Sequence, residues 1–263
     1  HVSCRIVLVD SHCHLDMLCP DQGALTPVLD EASRQGVQHM LCVSVSLERF
    51  EPMLELIEPY PQVSASVGVH PDGTDVLEPD VDQLVRLGQQ ARIVAIGETG
   101  LDYFRVEGDV EWQRERFRTH IRAARELNKP LIVHTRAARE DTLKIMAEER
   151  AADAGGVLHC FTEDWEMAQA AMDMNFYISF SGIVTFRNAQ TLKDVARKMP
   201  VERMLVETDS PYLAPVPRRG KSNQPAYVRY VAEHVAELRE ESMEDVAAAT
   251  TNNFYALFNT AAR

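Results

Sequence analysis

Two histidines one residue apart close the apolar run Val7-Leu8-Val9-Asp10-Ser11-His12-Cys13-His14-Leu15-Asp16. Side chains alternate faces along a strand, so His12 and His14 point the same way, with Cys13 opposite. Two imidazoles on one face at the mouth of a buried strand offer two ligands to one metal ion, the plainer alternative being a hydrogen-bonded surface pair. Further along, "IVAIGETG" sets Glu98 directly after an apolar run, and "LIVHTR" and "GVLHCF" do the same for His134 and His159. "LVETDSPY" delivers Glu207 and Asp209 on one face, two residues apart. Singly, each has a structural role open to it: a core histidine, a carboxylate satisfied by backbone amides, a helix cap at Asp209. Together they are four histidines and two carboxylates (His12, His14, His134, His159, Glu98, Asp209), and burying that many titratable groups without a cation is costly. His120 and His234 lie in helix-like stretches and His39 opens a strand; these three read as structural.

Six donors exceed the need of one tetrahedral ion, so two divalent ions are expected, with Glu98 bridging through both oxygens. One ion takes His12, His14, Glu98 and Asp209; the other takes Glu98, His134 and His159. Asp209 is the expected general base, Glu207 orients a ligand from deeper in the fold, and Asp16 orients a ligand or a loop. Imidazole-rich ligation suits Zn, Mn, Ni or Co; Mg prefers all-oxygen shells but is a possible ion in activity.

The elements that must position these groups alternate from end to end. Apolar, β-branched runs at Ile6–Asp10, His39–Val45, Val63–Val69, Ile93–Gly97, Leu131–His134, Gly156–His159, Phe176–Phe180 and Met204–Glu207 read as strands. Helical periodicity fits Leu25–Gln35, Leu47–Glu58, Val81–Gln89, Glu111–Leu127, Glu140–Glu149, Glu166–Met174 and Ala189–Lys198. Near-continuous apolar strands separated by helices are parallel strands buried on both faces. Eight such units in 263 residues predict an α/β fold, a (β/α)8 TIM-like barrel, with Tyr227–Leu238 and Met243–Phe258 as closing helices. One domain over 1–263 is expected. Such barrels carry their reactive groups at the carboxyl ends of the strands, which is where the six donors and His70 fall.

The net charge of −13 excludes a broad basic surface that coats duplex nucleic acid, while leaving room for a local phosphate site. Five cysteines without paired spacing, two of them (Cys42 and Cys160) in apolar runs, predict reduced thiols and a cytoplasmic setting. No run approaches the ~20 apolar residues of a membrane span, and the first residues lack a secretory-signal pattern.

The ordered motifs "DSHCHLD", "GVHP", "GETGLDY", "RELNKPLIVHTR", "GGVLHCF", "YISFSGIVTF", "LVETDSPYLAP" and "RGKSNQPAYV" resemble those of the TatD family of metal-dependent hydrolases, within the amidohydrolase superfamily. The resemblance spans nearly the whole chain. It implies a TIM-like barrel, one or two divalent metals, the metal ligands named above, phosphodiester hydrolysis with DNase activity, and a substrate contact at His70. The substrate expected is DNA, in repair or turnover, cut from single-stranded or frayed ends by a metal-activated water, without an obligate protein partner. Arg136, Arg218, Arg219, Lys221 and Asn223 are candidate phosphate donors, and Tyr103, Phe104 and Phe161 candidate stacking platforms. The competing readings are a bimetallic hydrolase of a carbonyl substrate (amide, lactone or aminoacyl ester) and a non-catalytic metal- or partner-binding barrel.

Overall fold

The computed structural model describes residues 6–263, so Cys4 lies outside the described part. Eight parallel strands form one sheet in the order β1 to β8: Leu8–Cys13, Val37–Cys42, Val63–Val67, Ile93–Asp102, Leu131–Arg136, Gly156–Leu158, Phe176–Phe180 and Met204–Val206. The helices are α1 Leu15–Leu18, α2 Gln22–Arg34, α3 Phe50–Ile57, α4 Val81–Gly88, α5 Glu111–Leu127, α6 Arg139–Glu148, α7 Trp165–Asp173, α8 Gln190–Lys198, α9 Val228–Arg239 and α10 Met243–Leu257. Asp21, Asp80, Asp164 and Ser242 start α2, α4, α7 and α10 by accepting from an exposed backbone N–H of the first turn.

The result is a nearly closed barrel with two apolar layers. Alternate strand residues face inward, among them Val9, Leu41, Val94, Ile132, Val157 and Leu205, and Phe254 of α10 and Phe258 just past its end pack against this inner cluster. The other strand face packs on the helices through residues such as Leu8, Ile96, Leu131 and Ile178. The expected closing helices are therefore present, and the last of them packs its aromatic residues onto the inner layer.

Two departures from the sequence reading bear on the site. β4 runs five residues beyond Gly97, because Gly100, Leu101 and Asp102 stay in register with His134, Thr135 and Arg136 of β5. Gly100 is required there: its φ is +129° and a Cβ would collide with the His134 carbonyl. Glu98 thus projects from within β4 rather than from the loop after it, and His134, expected at the end of its strand, stands within β5, which runs two residues further. The short α1, directly after His14, was not foreseen either.

No ladder joins β8 to β1. That seam is held instead by individual bonds: Ser11 Oγ donates to Val206 O (2.9 Å), Asp209 N to His12 O (2.8 Å) and His14 N to Ser210 O (2.8 Å). Asp10, wholly buried, accepts from Thr208 N (2.9 Å) and Thr208 Oγ1 (2.5 Å). Burial pushes its carboxyl from 3.8 up to about 8. A carboxyl raised in the folded state favours folding most at low pH, and that contribution is lost as pH rises from about 4 to about 8. Asn at this position keeps both bonds, accepting from Thr208 N and donating to Thr208 Oγ1, yet carries no proton to lose. Asp10→Asn is accordingly expected to gain on the wild type in urea midpoint as pH goes from 4.5 to 8. Parallel midpoints across that range would show that Asp10 is ionised without cost.

Candidate metal centre

A register shift between Asp10 and Cys13 interrupts the alternation of β1, so that Cys13 enters the outer apolar layer although Val9 faces inward, while His12 and His14 turn into the barrel mouth. Their Nε2 atoms stand 3.3 Å apart. Asp209 Oδ1, from the loop after β8, lies 3.1 Å from His14 Nε2 and 3.4 Å from His12 Nε2. Glu98 Oε1 lies 3.3 and 3.7 Å from His12 and His14 Nε2. Ligand atoms bound at 2.0–2.1 Å around a tetrahedral divalent ion are about 3.3 Å apart. These four side chains fit that spacing.

The other oxygen of Glu98 faces a second set of imidazoles: His159 Nε2 at 2.6 Å, His70 Nε2 at 3.2 Å and His134 Nδ1 at 3.4 Å. Each of these rings is backed on its far nitrogen by a carboxylate. Asp72 lies 2.6 Å from His70 Nδ1, Asp102 2.9 Å from His134 Nε2, and Glu207 3.2 Å from His159 Nδ1. Such pairing fixes the tautomer and ring orientation of an imidazole used as a ligand. His159 Nε2 is buried without a hydrogen-bond partner of acceptable geometry. Donor groups that could hold an ion include His12–His14–Glu98, His70–Glu98–His134 and His12–His159–Glu207–Asp209.

Electrostatics follows from this crowding. Burial alone would raise the Glu98 carboxyl, but His159, His70 and His12 hold it well below its ordinary range. Burial likewise opposes charge on His159 and His14, yet Glu98 and Glu207 raise the former, and Asp209 raises the latter. His12 is pushed down by burial and by His159, whose ring stacks on it at 3.8 Å. His14 and His159 therefore hold protons that an entering cation displaces, and cation binding weakens as pH falls.

A family model described as TatD related DNase matches residues 9–259. The chain belongs to the TatD family. Among its relatives is the Escherichia coli K12 protein named "Uncharacterized metal-dependent hydrolase YcfH", 52% identical over 257 residues, covering 96% of each chain. The Salmonella typhimurium LT2 protein named "3'-5' ssDNA/RNA exonuclease TatD" is 32% identical over 237 residues, covering 88% of this chain and 91% of its own. The crystal structure of the TatD homologue YJJV from Escherichia coli K12 superposes with a TM-score of 0.86 at 30% identity, over 97% of this chain and 98% of that one. This TatD-family chain is accordingly a metal-dependent hydrolase with a TIM-type barrel.

The donors form the floor of a cavity of about 630 Å³, with His70, Arg136, Tyr212 and Leu213 in its walls. Several other residues singled out in the sequence stand elsewhere. Tyr103 donates to Asp141 (2.7 Å) and accepts from Arg114 (2.8 Å), outside the cavity. Asn223 is buried and donates to Thr208 O and Tyr212 O, tying down the loop that carries Asp209. Lys221 is exposed on that loop, outside the cavity lining. Asp16 pairs with Arg49 at 3.1 Å rather than with any of the clustered donors, and Phe161 lies in the core. Arg218 and Arg219 sit against Tyr230 and Phe186. Glu207 does stand behind a donor, His159.

Sequence reasoning passed over Asp72, Asp102 and one face of α5. Asp102 lies four residues from Glu98 on β4 and shares its face, which the expected end of that strand at Gly97 concealed. On α5, Gln113, Arg116 and His120 are buried polar residues on one stripe. His120 Nε2 accepts from Val69 N (3.0 Å), Arg116 donates to His70 O (2.9 Å), and Gln113 donates to Pro71 O and Asp102 O and accepts from Asp102 N. They fix the exits of β3 and β4, and with them His70 and Asp102. Asp102→Asn, which leaves His134 without its anionic partner, is expected to weaken metal binding or activity about 10–100-fold. Competition titration against a chromophoric chelator measures this, and an unchanged affinity would detach Asp102 from the site.

Proposed function

We propose that this metal-dependent hydrolase cleaves phosphodiester bonds of DNA from an end, on single-stranded or frayed substrate. The observation that carries the reading is the cluster of donors around Glu98 in a cavity that Arg136 also lines. The family description and the name of the Salmonella relative support it.

His12, His14, Glu98 and Asp209 would hold one divalent ion, and Glu98, His134 and His159 a second. When bound, such ions lower the pKa of a water towards ~7 and withdraw charge from a phosphoryl oxygen. The rest falls to the chain. Asp209, which lines the cavity, takes the proton of the attacking water; the new P–O bond forms as the ester P–O bond breaks, and that proton returns to the leaving oxygen, through solvent, to restore the Asp209 carboxylate. His70 and Arg136 bind the non-bridging oxygens, and Glu207 and Asp102 keep their imidazoles oriented. Free thiols at Cys13, Cys19, Cys42 and Cys160 support a cytoplasmic setting.

A chain of net charge −13 cannot follow a long polyanion, but one strand end needs only a few cationic contacts. The test is digestion of end-labelled single-stranded DNA beside a circular duplex and an ester and lactone panel, with and without chelator. Stepwise shortening of the single strand, abolished by chelator, is expected. KM should rise with salt at a log–log slope of about 1–2, as two or three phosphate contacts predict. Internal cuts in the circle, a preference for RNA, or faster turnover of a carbonyl ester would each overturn this reading.

A further inference from the structure

The cavity is not the only recess at this end of the barrel. A second, of about 390 Å³, opens beside it, and Asp72 and Arg136 belong to the walls of both. Arg105, Glu107 and Trp112 complete the part used here. At its edge stands Phe104, 55% exposed, with the Arg136 guanidinium 3.8 Å from its ring centre and that of Arg105 at 5.6 Å. Most arginines nearby are committed to carboxylates, Arg114 and Arg116 among them. Among the described residues neither Arg105 nor Arg136 has an acidic partner. Phe104 is held in place through its N–H, which donates to Asp102 Oδ1 (3.0 Å). The His134 ring, in the wall of the first recess, has one nitrogen on Glu98 and the other on Asp102, which lines the second.

The recess itself does not suit a phosphate, because Asp72, Asp102 and Glu107 all line it. Asp72 and Asp102 are engaged by His70 and His134, which leaves Glu107 as the free acceptor. A flat, uncharged ring whose edge offers N–H groups, attached to a phosphate lying at Arg136, meets all of these features. An aromatic face accepts any base by stacking, whereas a carboxylate accepts from an exocyclic amino group and finds only an oxygen and a methyl on that edge of thymine. We infer that the recess seats the base adjacent to the scissile phosphate of a single strand, stacked at Phe104 and Trp112, with Glu107 favouring cytosine over thymine and Arg136 holding the scissile phosphate itself. This rests on the proposed phosphodiesterase reading.

Two measurements keep the two apart. In a Trp165→Phe background Trp112 is the sole tryptophan, so titration with dCMP reads the recess directly, whether or not the chain cuts DNA. Saturable quenching is expected, at least threefold weaker with dTMP, and the difference should vanish in Glu107→Gln. In the digestion assay, Phe104→Ala should raise KM for single-stranded oligonucleotides about 5–100-fold, the loss of one base stack. Its effect on bis(p-nitrophenyl) phosphate, which has no nucleobase, should be at least tenfold smaller. Absence of quenching, or equal quenching by dCMP and dTMP, overturns the recess assignment. So does an oligonucleotide KM within twofold of wild type in Phe104→Ala. A chain that binds dCMP but cuts no oligonucleotide leaves the recess standing and removes the phosphodiesterase reading instead.

Discussion

Glu98→Gln is expected to abolish hydrolysis, by at least about 10³-fold, and to strip the protein of most of its metal. The carboxylate has one oxygen within 3.7 Å of His12 and His14 and the other within 3.4 Å of His159, His70 and His134. Gln fills the same volume, so the fold should survive, but an amide offers one neutral oxygen in place of two anionic ones. Both proposed ion positions lose their shared anion at once. Metal analysis after dialysis should find fewer than half the wild-type equivalents per chain. A variant that retains two equivalents and turns over within tenfold of wild type would remove Glu98 from the centre of the site.

Asp209→Asn should act differently, lowering kcat by about 10²–10⁴-fold with KM changed little and with partial loss of only the ion that Asp209 helps to hold, since general-base assistance is worth about that much. The comparison is clean for a backbone reason. Asp209 sits at φ +56°, and Asn is the side chain that tolerates this left-handed region best after glycine. The amide oxygen still faces His14 and His12, but it no longer accepts a proton from water. Pre-steady-state and steady-state rates on one oligonucleotide would measure the loss. A kcat within fivefold of wild type would assign proton removal to another group.

The strands and helices were readable because burial imposes its periods on them. α5 was bounded at Glu111 and Leu127, its observed limits, since its apolar stripe and charged face run its full length. The donors were readable because polar residues at the ends of apolar runs are conspicuous. What lay beyond the run ends was not. β4 continues past Gly97 in polar and glycine residues that carry no apolar signal, and its true length decides orientation. Asp102 shares the face of Glu98, whereas Tyr103, one residue on, turns outward to Asp141. The loop after β8 has no period, so nothing in the sequence separates buried Asn223 from exposed Lys221. The buried stripe on α5 was only partly legible: His120 reads as structural, but Gln113 and Arg116 look like a solvated helix surface until the partners in β3 and β4 are known.

The weak joint of the barrel runs between its first and last strands, and His12 and His14 lie on one side of it with Asp209 on the other. A cation shared by those three side chains would span the gap like a clasp, linking parts of the chain nearly two hundred residues apart. Loading the protein would then do more than arm it: it would lock the ring shut. Amide exchange at β1 and β8 should slow on loading while β4 and β5, paired with each other from Ile96 to Asp102, respond less.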